Sequence, residues 1–209
     1  MKRLLPLAIF VPAYMAIALT LALRRGNTEF LFYAAAMALC IAGVLWVDRR
    51  TRFTTPVLWC LALWGMLHMF GGTLPIPASV TDPPEGPYVL YNLRPAPFIP
   101  KFDQLVHAFG FFTATLAAWH ALRAASRHTL RPTLGPLLAC ALIGMGLGAV
   151  NEVIEFIATR LIPDTNVGGY ENTGWDLVSN LVGAALAALL IRALAARGAS
   201  RERDARIRA

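Results

Sequence analysis

Six stretches of this chain run for roughly 20 residues with almost no charge, the length at which a helix crosses a hydrocarbon core about 30 Å thick. In lipid every backbone polar group must be paired within its own segment, so such stretches can only be helices. They are expected at Leu4–Leu23, Glu29–Val47, Thr55–Gly71, Phe102–Leu122, Thr133–Ile157 and Trp175–Ala195. The sixth is the shortest in uncharged residues, 15 from Leu177 to Ile191, and spans only with Asp176 at one end and a snorkelling Arg192 at the other. Composition agrees, because with 57% hydrophobic and 15% charged residues the chain lacks the polar surface of a soluble globule. The expected fold is an all-α polytopic bundle of about six transmembrane helices over residues 1–196, one domain, followed by a basic tail at 197–209.

The formal charge of +7 does not point to nucleic acid, since the basic residues sit in short clusters between apolar runs rather than on one polar face. They set orientation instead. With the N-terminus inside, 14 of the 19 Lys and Arg fall in cytoplasmic segments: Lys2 and Arg3, the 49–52 and 123–131 connections, and the stretch after Ile191. Both termini are therefore expected in the cytoplasm, with the tail against anionic lipid head groups. The N-terminal apolar run, interrupted by Pro6 and Pro12 and followed by Arg24-Arg25, reads as an uncleaved first helix. Residues 72–100 contain eight prolines and read as an ordered outer loop. Cys40, Cys60 and Cys140 lie in apolar stretches with no CxxC spacing and form no disulfide or zinc framework. Gly144 and Gly148, four apart on one helix face, predict close helix packing rather than a dinucleotide loop.

An ionisable group inside a span costs at least a few kcal/mol and needs a partner or a purpose. Here such groups gather at one expected depth, the outer one: His68 ends the third helix, Asp103 and His107 open the fourth, Asn151, Glu152 and Glu155 end the fifth, and Asp176 and Asn180 open the sixth. The spacings i, i+4 (Asp103/His107, Asp176/Asn180) and i, i+3 (Glu152/Glu155) put each pair on one helix face. Imidazoles and carboxylates partly withdrawn from water suit zinc, manganese or iron, and equally suit acid–base work. The same residues also serve ordinary ends: Asp103 and Asp176 favour helix N-termini, and His107 can bond a neighbouring carboxylate.

These residues lie in four blocks: LHMFGG at 67–72, FDQLVHAFGFF at 102–112, NEVIEF at 151–156 and GWDLVSNLVGA at 174–184. Together they resemble the YjdF-like family of bacterial inner-membrane proteins. More distantly they are similar to VanZ-like proteins, which share Asp-x-x-x-His, a Glu ending the next helix and Asp-x-x-x-Asn-x-x-Gly. Carried over by position, the resemblance marks His68, Gly71, Gly72, Asp103, His107, Glu152, Glu155, Asp176 and Gly183, with Asn180 shared with the VanZ-like pattern. It departs before the last helix, where a Gln-Gly-Asp stretch is replaced by residues 168–174 and only Glu171 can stand in for the acidic position.

The resulting expectation is an envelope protein whose outward cluster binds a divalent metal or a lipid-linked polar head group and hydrolyses or transfers it. His68, Asp103, His107, Glu152 and Asp176 are the expected ligands, Glu152 and Asp176 the acid–base residues, and Glu155 and Asn180 the partners that orient them. Two other classes remain open: a small transporter or proton-coupled permease, and a non-catalytic scaffold whose polar cluster fixes helix register.

Overall fold

A computed structural model describes residues 4–84 and 86–208. Among the described residues, six α-helices make up the fold: α1 (Leu5–Arg25), α2 (Thr28–Thr51), α3 (Thr55–Gly71), α4 (Phe102–Ala125), α5 (Leu134–Leu161) and α6 (Tyr170–Arg208). All but α3 are long and apolar enough to cross a membrane, and α3 is apolar but only 17 residues long. Among the described residues there is no strand. Lys2 and Arg3, two of the charges used above for orientation, lie outside the described residues.

Local chemistry sets the breaks. Gly26, at φ 62°, closes α1 in the left-handed conformation that glycine adopts without strain, and Asn27 caps α2 by accepting from Phe30 N at 3.0 Å. Between α2 and α3, Asp48 Oδ1 accepts from Phe53 N at 2.8 Å. The last helix departs furthest from expectation. It begins at Tyr170 rather than Trp175 and continues past Ala195 to Arg208, so the basic tail is helical. Its 39 residues measure about 58 Å, nearly twice the hydrocarbon thickness. The stretch after Ile191 is rich in Ala and Arg, good helix formers, and has no proline, so the helix continues through Gly198 past the point where the lipid ends.

The surface is what lipid requires. Only 22% of the most apolar window of α1, α2 and α5 is buried, and α5 turns Leu138, Leu142, Val150, Val153 and Phe156 outward. A soluble protein would hide so continuous an apolar face. Helix α4 is the central member, packing against α2, α3, α5 and α6, and its window is the most buried at 44%.

Glycines decide how closely these helices approach. A Cβ at Gly144 would strike Thr115 Oγ1 of α4, and one at Gly148 would lie 2.6 Å from Asn180 Nδ2 of α6, whereas Gly146 faces open space. The face predicted from the i, i+4 glycines is therefore the one that α4 and α6 occupy. On α6 itself, Gly183 meets the Ala108 carbonyl, backbone against backbone.

The proline-rich segment folds as an ordered loop. Two short 3-10 turns, Ala78–Val80 and Leu90–Asn92, are stitched by backbone bonds such as Leu90 N to Leu74 O and Arg94 N to Val80 O, both 2.9 Å. Arg94 locks its distal part, donating to Asp82 Oδ2 (2.8 Å), Pro97 O (2.6 Å) and Ile99 O (3.2 Å). Asn92 Nδ2 reaches Asn166 Oδ1 at 2.9 Å, joining this loop to the α5–α6 connection.

Candidate functional site

The first turns of α4, the last turns of α5 and the first turns of α6 meet at the end of the bundle that carries the proline-rich loop. Because α4 and α6 run away from that end and α5 runs towards it, three sequence-distant segments arrive at one depth. His107 is their meeting point. Its ring lies 3.7 Å from Asp103 Oδ1 (through Nε2), 3.8 Å from Glu152 Oε1 (through Nδ1) and 3.9 Å from Glu155 Oε1 (through Nε2). Asn180 Oδ1 faces His107 Nδ1 at 3.1 Å. With that oxygen as acceptor the proton sits on Nδ1, which leaves the Nε2 lone pair towards Asp103 and Glu155.

All of this is withdrawn from solvent. Asp176 and Asn180 are fully buried and His107 is 6% exposed, while the side chains of Asp103, Glu152 and Glu155 retain 15%, 11% and 15% exposure. Some of the carboxylate oxygens are satisfied by amides one helical turn away: Asn151 Nδ2 donates to Glu155 Oε1 at 2.8 Å, and Asn172 Nδ2 to Asp176 Oδ2 at 2.7 Å. Others are not. Glu152 Oε1, Asp176 Oδ1 and Asn180 Nδ2 are buried without a hydrogen-bond partner. Leaving such groups unpaired in a low-dielectric interior is costly, and four carboxylates around one imidazole multiply the cost.

The donor set fits a cation. Asp103, His107 and Asp176 form one group, and His107, Glu152 and Glu155 another, each offering ligand atoms within 4.8 Å of one another. Around an ion with bonds of about 2.0–2.2 Å, tetrahedral ligands stand about 3.3–3.6 Å apart, so the separations of 3.7 Å to Asp103 and 3.9 Å to Glu155 at His107 Nε2 need only a few tenths of contraction.

His68 belongs to neither group. It sits on α3 among the rings of Phe30, Tyr33, Trp64 and Tyr91, and its Nδ1 is engaged by Tyr91 Oη. Burial pushes the Tyr91 phenol, which lies in the loop, well above its ordinary value of 10.0, with Asp103 adding to the effect. Glu171, the residue able to replace the missing acidic position, is exposed at the rim; its neighbour Asn172 makes the contact to Asp176 instead.

Three participants were not anticipated. Glu29, 6% exposed, accepts from Asn166 N at 2.8 Å and anchors the α5–α6 connection to α2. In sequence it reads as an ordinary acidic residue in a first helical turn. Asn172 lay outside the expected sixth span, although its i, i+4 spacing to Asp176 would have shown the pairing had the helix been started earlier. Lys101, whose Nζ reaches Asn172 Oδ1 at 3.3 Å, has no neighbour in its own segment whose spacing marks it.

No curated protein and no solved structure matches the chain. The family described as a predicted membrane protein (DUF2238), to which the YjdF-like family corresponds, matches residues 6–197, and the chain belongs to that family.

Proposed function

We propose that the cluster around His107 holds a divalent metal ion (zinc, manganese or iron) at the outer face of the bacterial inner membrane, and that the protein hydrolyses or transfers lipid-linked polar head groups there. The observation that supports this most is the pair of buried carboxylate oxygens, Glu152 Oε1 and Asp176 Oδ1, that lack partners beside an imidazole whose Nε2 faces further carboxylates. A divalent cation held by Asp176 would satisfy its Oδ1 and offset the accumulated negative charge, leaving Glu152 Oε1 free to accept a proton.

Under this reading Asp103, His107 and Asp176 hold the ion, and Asn180 fixes the His107 tautomer through Nδ1. The ion supplies Lewis acidity towards a phosphoryl or carbonyl oxygen. Glu152 takes the proton from the attacking water, since its Oε1 is buried without a partner 3.8 Å from the His107 ring. Glu155, held by Asn151, completes the negative wall. His68, caged by aromatic rings, takes no part. The outward orientation rests on the distribution of Lys and Arg, and the distant resemblance to VanZ-like proteins is in keeping with envelope chemistry.

The test is the metal content of the detergent-purified chain beside His107→Ala, each loaded in turn with zinc, manganese and iron(II) and checked for helicity and monodispersity. About one ion per chain in the native protein, lost in the variant, is the expected result. A folded native protein that retains none of the three refutes the metal site and returns the cluster to a structural or proton-carrying role.

A further inference from the structure

Beside the buried cluster a groove of 620 Å³ opens on the loop end of the bundle, between the 94–101 segment and the first turns of α6. That is room for a polar head group. We propose that the groove seats a phosphate group carried by a lipid, with Lys101 as the residue that recognises its charge; this names the substrate class of the site proposed above and rests on that reading.

Two cations line the groove, and they differ in what they have left to give. Arg94 is spent on Asp82, Pro97 and Ile99 and holds the loop in shape. Lys101 makes a single side-chain bond among the described residues, Nζ to Asn172 Oδ1 at 3.3 Å, and an ammonium has three donors. Its position argues against a role in stability, because Lys101 stands at the N-cap of α4, where a positive charge opposes the helix dipole and an acidic or hydroxyl residue is preferred. The same placement favours a bound anion, which gains both the ammonium and the positive end of the helix.

The groove is wired to the cluster. Lys101 bonds Asn172, and Asn172 Nδ2 bonds Asp176 Oδ2 at 2.7 Å, so two hydrogen bonds separate the ammonium from a fully buried carboxylate of the proposed site. A phosphate approaching four carboxylates needs a cation on its own side, and Lys101 supplies it. The rim carries Phe98, 87% exposed, and Trp175, 52% exposed. Tryptophan lies at head-group depth in membranes, and an exposed Phe beside it suits acyl chains, which favours a lipid as the source of the phosphate over a solute.

Calorimetric titration of the detergent-purified full chain with dihexanoyl phosphatidic acid, dihexanoylglycerol and inorganic phosphate tests the proposal. Phosphatidic acid is expected to bind, dihexanoylglycerol to bind at least tenfold more weakly, Lys101→Ala to lose about tenfold or more of the affinity, and Lys101→Arg to keep it, as removal of one charge-assisted hydrogen bond implies. Inorganic phosphate binding as tightly as the lipid keeps the phosphate site and assigns it to a soluble anion. Equal affinity of native protein and Lys101→Ala, or of phosphatidic acid and dihexanoylglycerol, overturns it. Measuring metal in the native protein and in Lys101→Ala beside the titration separates the two proposals: Lys101-dependent binding in a native protein that retains no metal sinks only the metal site, and normal metal with Lys101-independent binding sinks only this one.

Discussion

Gly148→Ala tests whether helix packing sets the geometry of the cluster. The new Cβ would stand 2.6 Å from Asn180 Nδ2, 3.1 Å from its Cγ and 3.4 Å from its Cβ. Carbon contacts settle at about 3.5–4.0 Å, so either Asn180 swings by about 1 Å or α5 and α6 part by as much. Overpacking of this kind costs about 1–3 kcal/mol. Asn180 cannot move freely, because its Oδ1 faces His107 Nδ1 at 3.1 Å and both side chains are buried. Gly146→Ala is the internal control: it lies two residues away on the same helix, and its Cβ meets nothing within 4 Å. Both substitutions gain the same helix propensity, about 0.5–1 kcal/mol, so their difference isolates the contact. At about 2–4 °C per kcal/mol for a chain of this size, Gly148→Ala should melt roughly 2–12 °C below Gly146→Ala in the same detergent. It should also bind metal more weakly than Gly146→Ala. Equal melting temperatures and equal metal content for the two variants would refute the claim that Gly148 positions Asn180.

Four further outcomes are expected. Asn180→Ala, which frees His107 to rotate, should weaken metal binding by roughly 10–100-fold with the helices intact, read by competition with a metallochromic chelator; unchanged affinity removes Asn180 from the site. Gly183→Val drives a side chain into the Ala108 carbonyl, where no side chain can yield, and should cost about 3 kcal/mol or more, seen as loss of monodisperse protein; a normal elution profile contradicts the α4–α6 contact. Glu29→Ala removes the acceptor of Asn166 N, a charge-assisted bond of about 1.5–3 kcal/mol, and should speed limited proteolysis within residues 162–169; cleavage at the native rate argues against the anchor. In a cysteine-free background, an impermeant maleimide should label Ser79→Cys in intact cells and Thr129→Cys only after permeabilisation, and the reverse pattern would invert the orientation.

Much of the fold was readable because hydropathy is a local property. Thr55–Gly71 coincides with its expected bounds, α4 and α5 begin within one residue of theirs and run about one turn past their expected ends, and the prolines of 72–100 mark the ordered loop. The end of α6 was not readable, because loss of hydropathy at Arg192 marks the edge of the lipid and not the end of hydrogen bonding. Within the site, spacing identified the paired faces of Asp103/His107, Glu152/Glu155 and Asp176/Asn180, which the structure gathers around one imidazole. The spacing of His68 carried no such information, since a lone histidine near a helix end has no partner in its own segment to show which way it faces.

The sequence by itself determined that the chain is a bundle of apolar helices, roughly where each lies, and which polar residues share a helix face, because a period of 3.6 residues and the demand for paired backbone groups act within one segment. Only the tertiary structure decided which faces meet: that His107 and not His68 is the centre, that Asn172 rather than Glu171 serves Asp176, and that Lys101 looks into a groove one step from the cluster. Those choices depend on how closely α4, α5 and α6 approach. That approach is set where Gly144, Gly148 and Gly183 leave room for atoms from other helices, a complementarity between segments far apart in the chain.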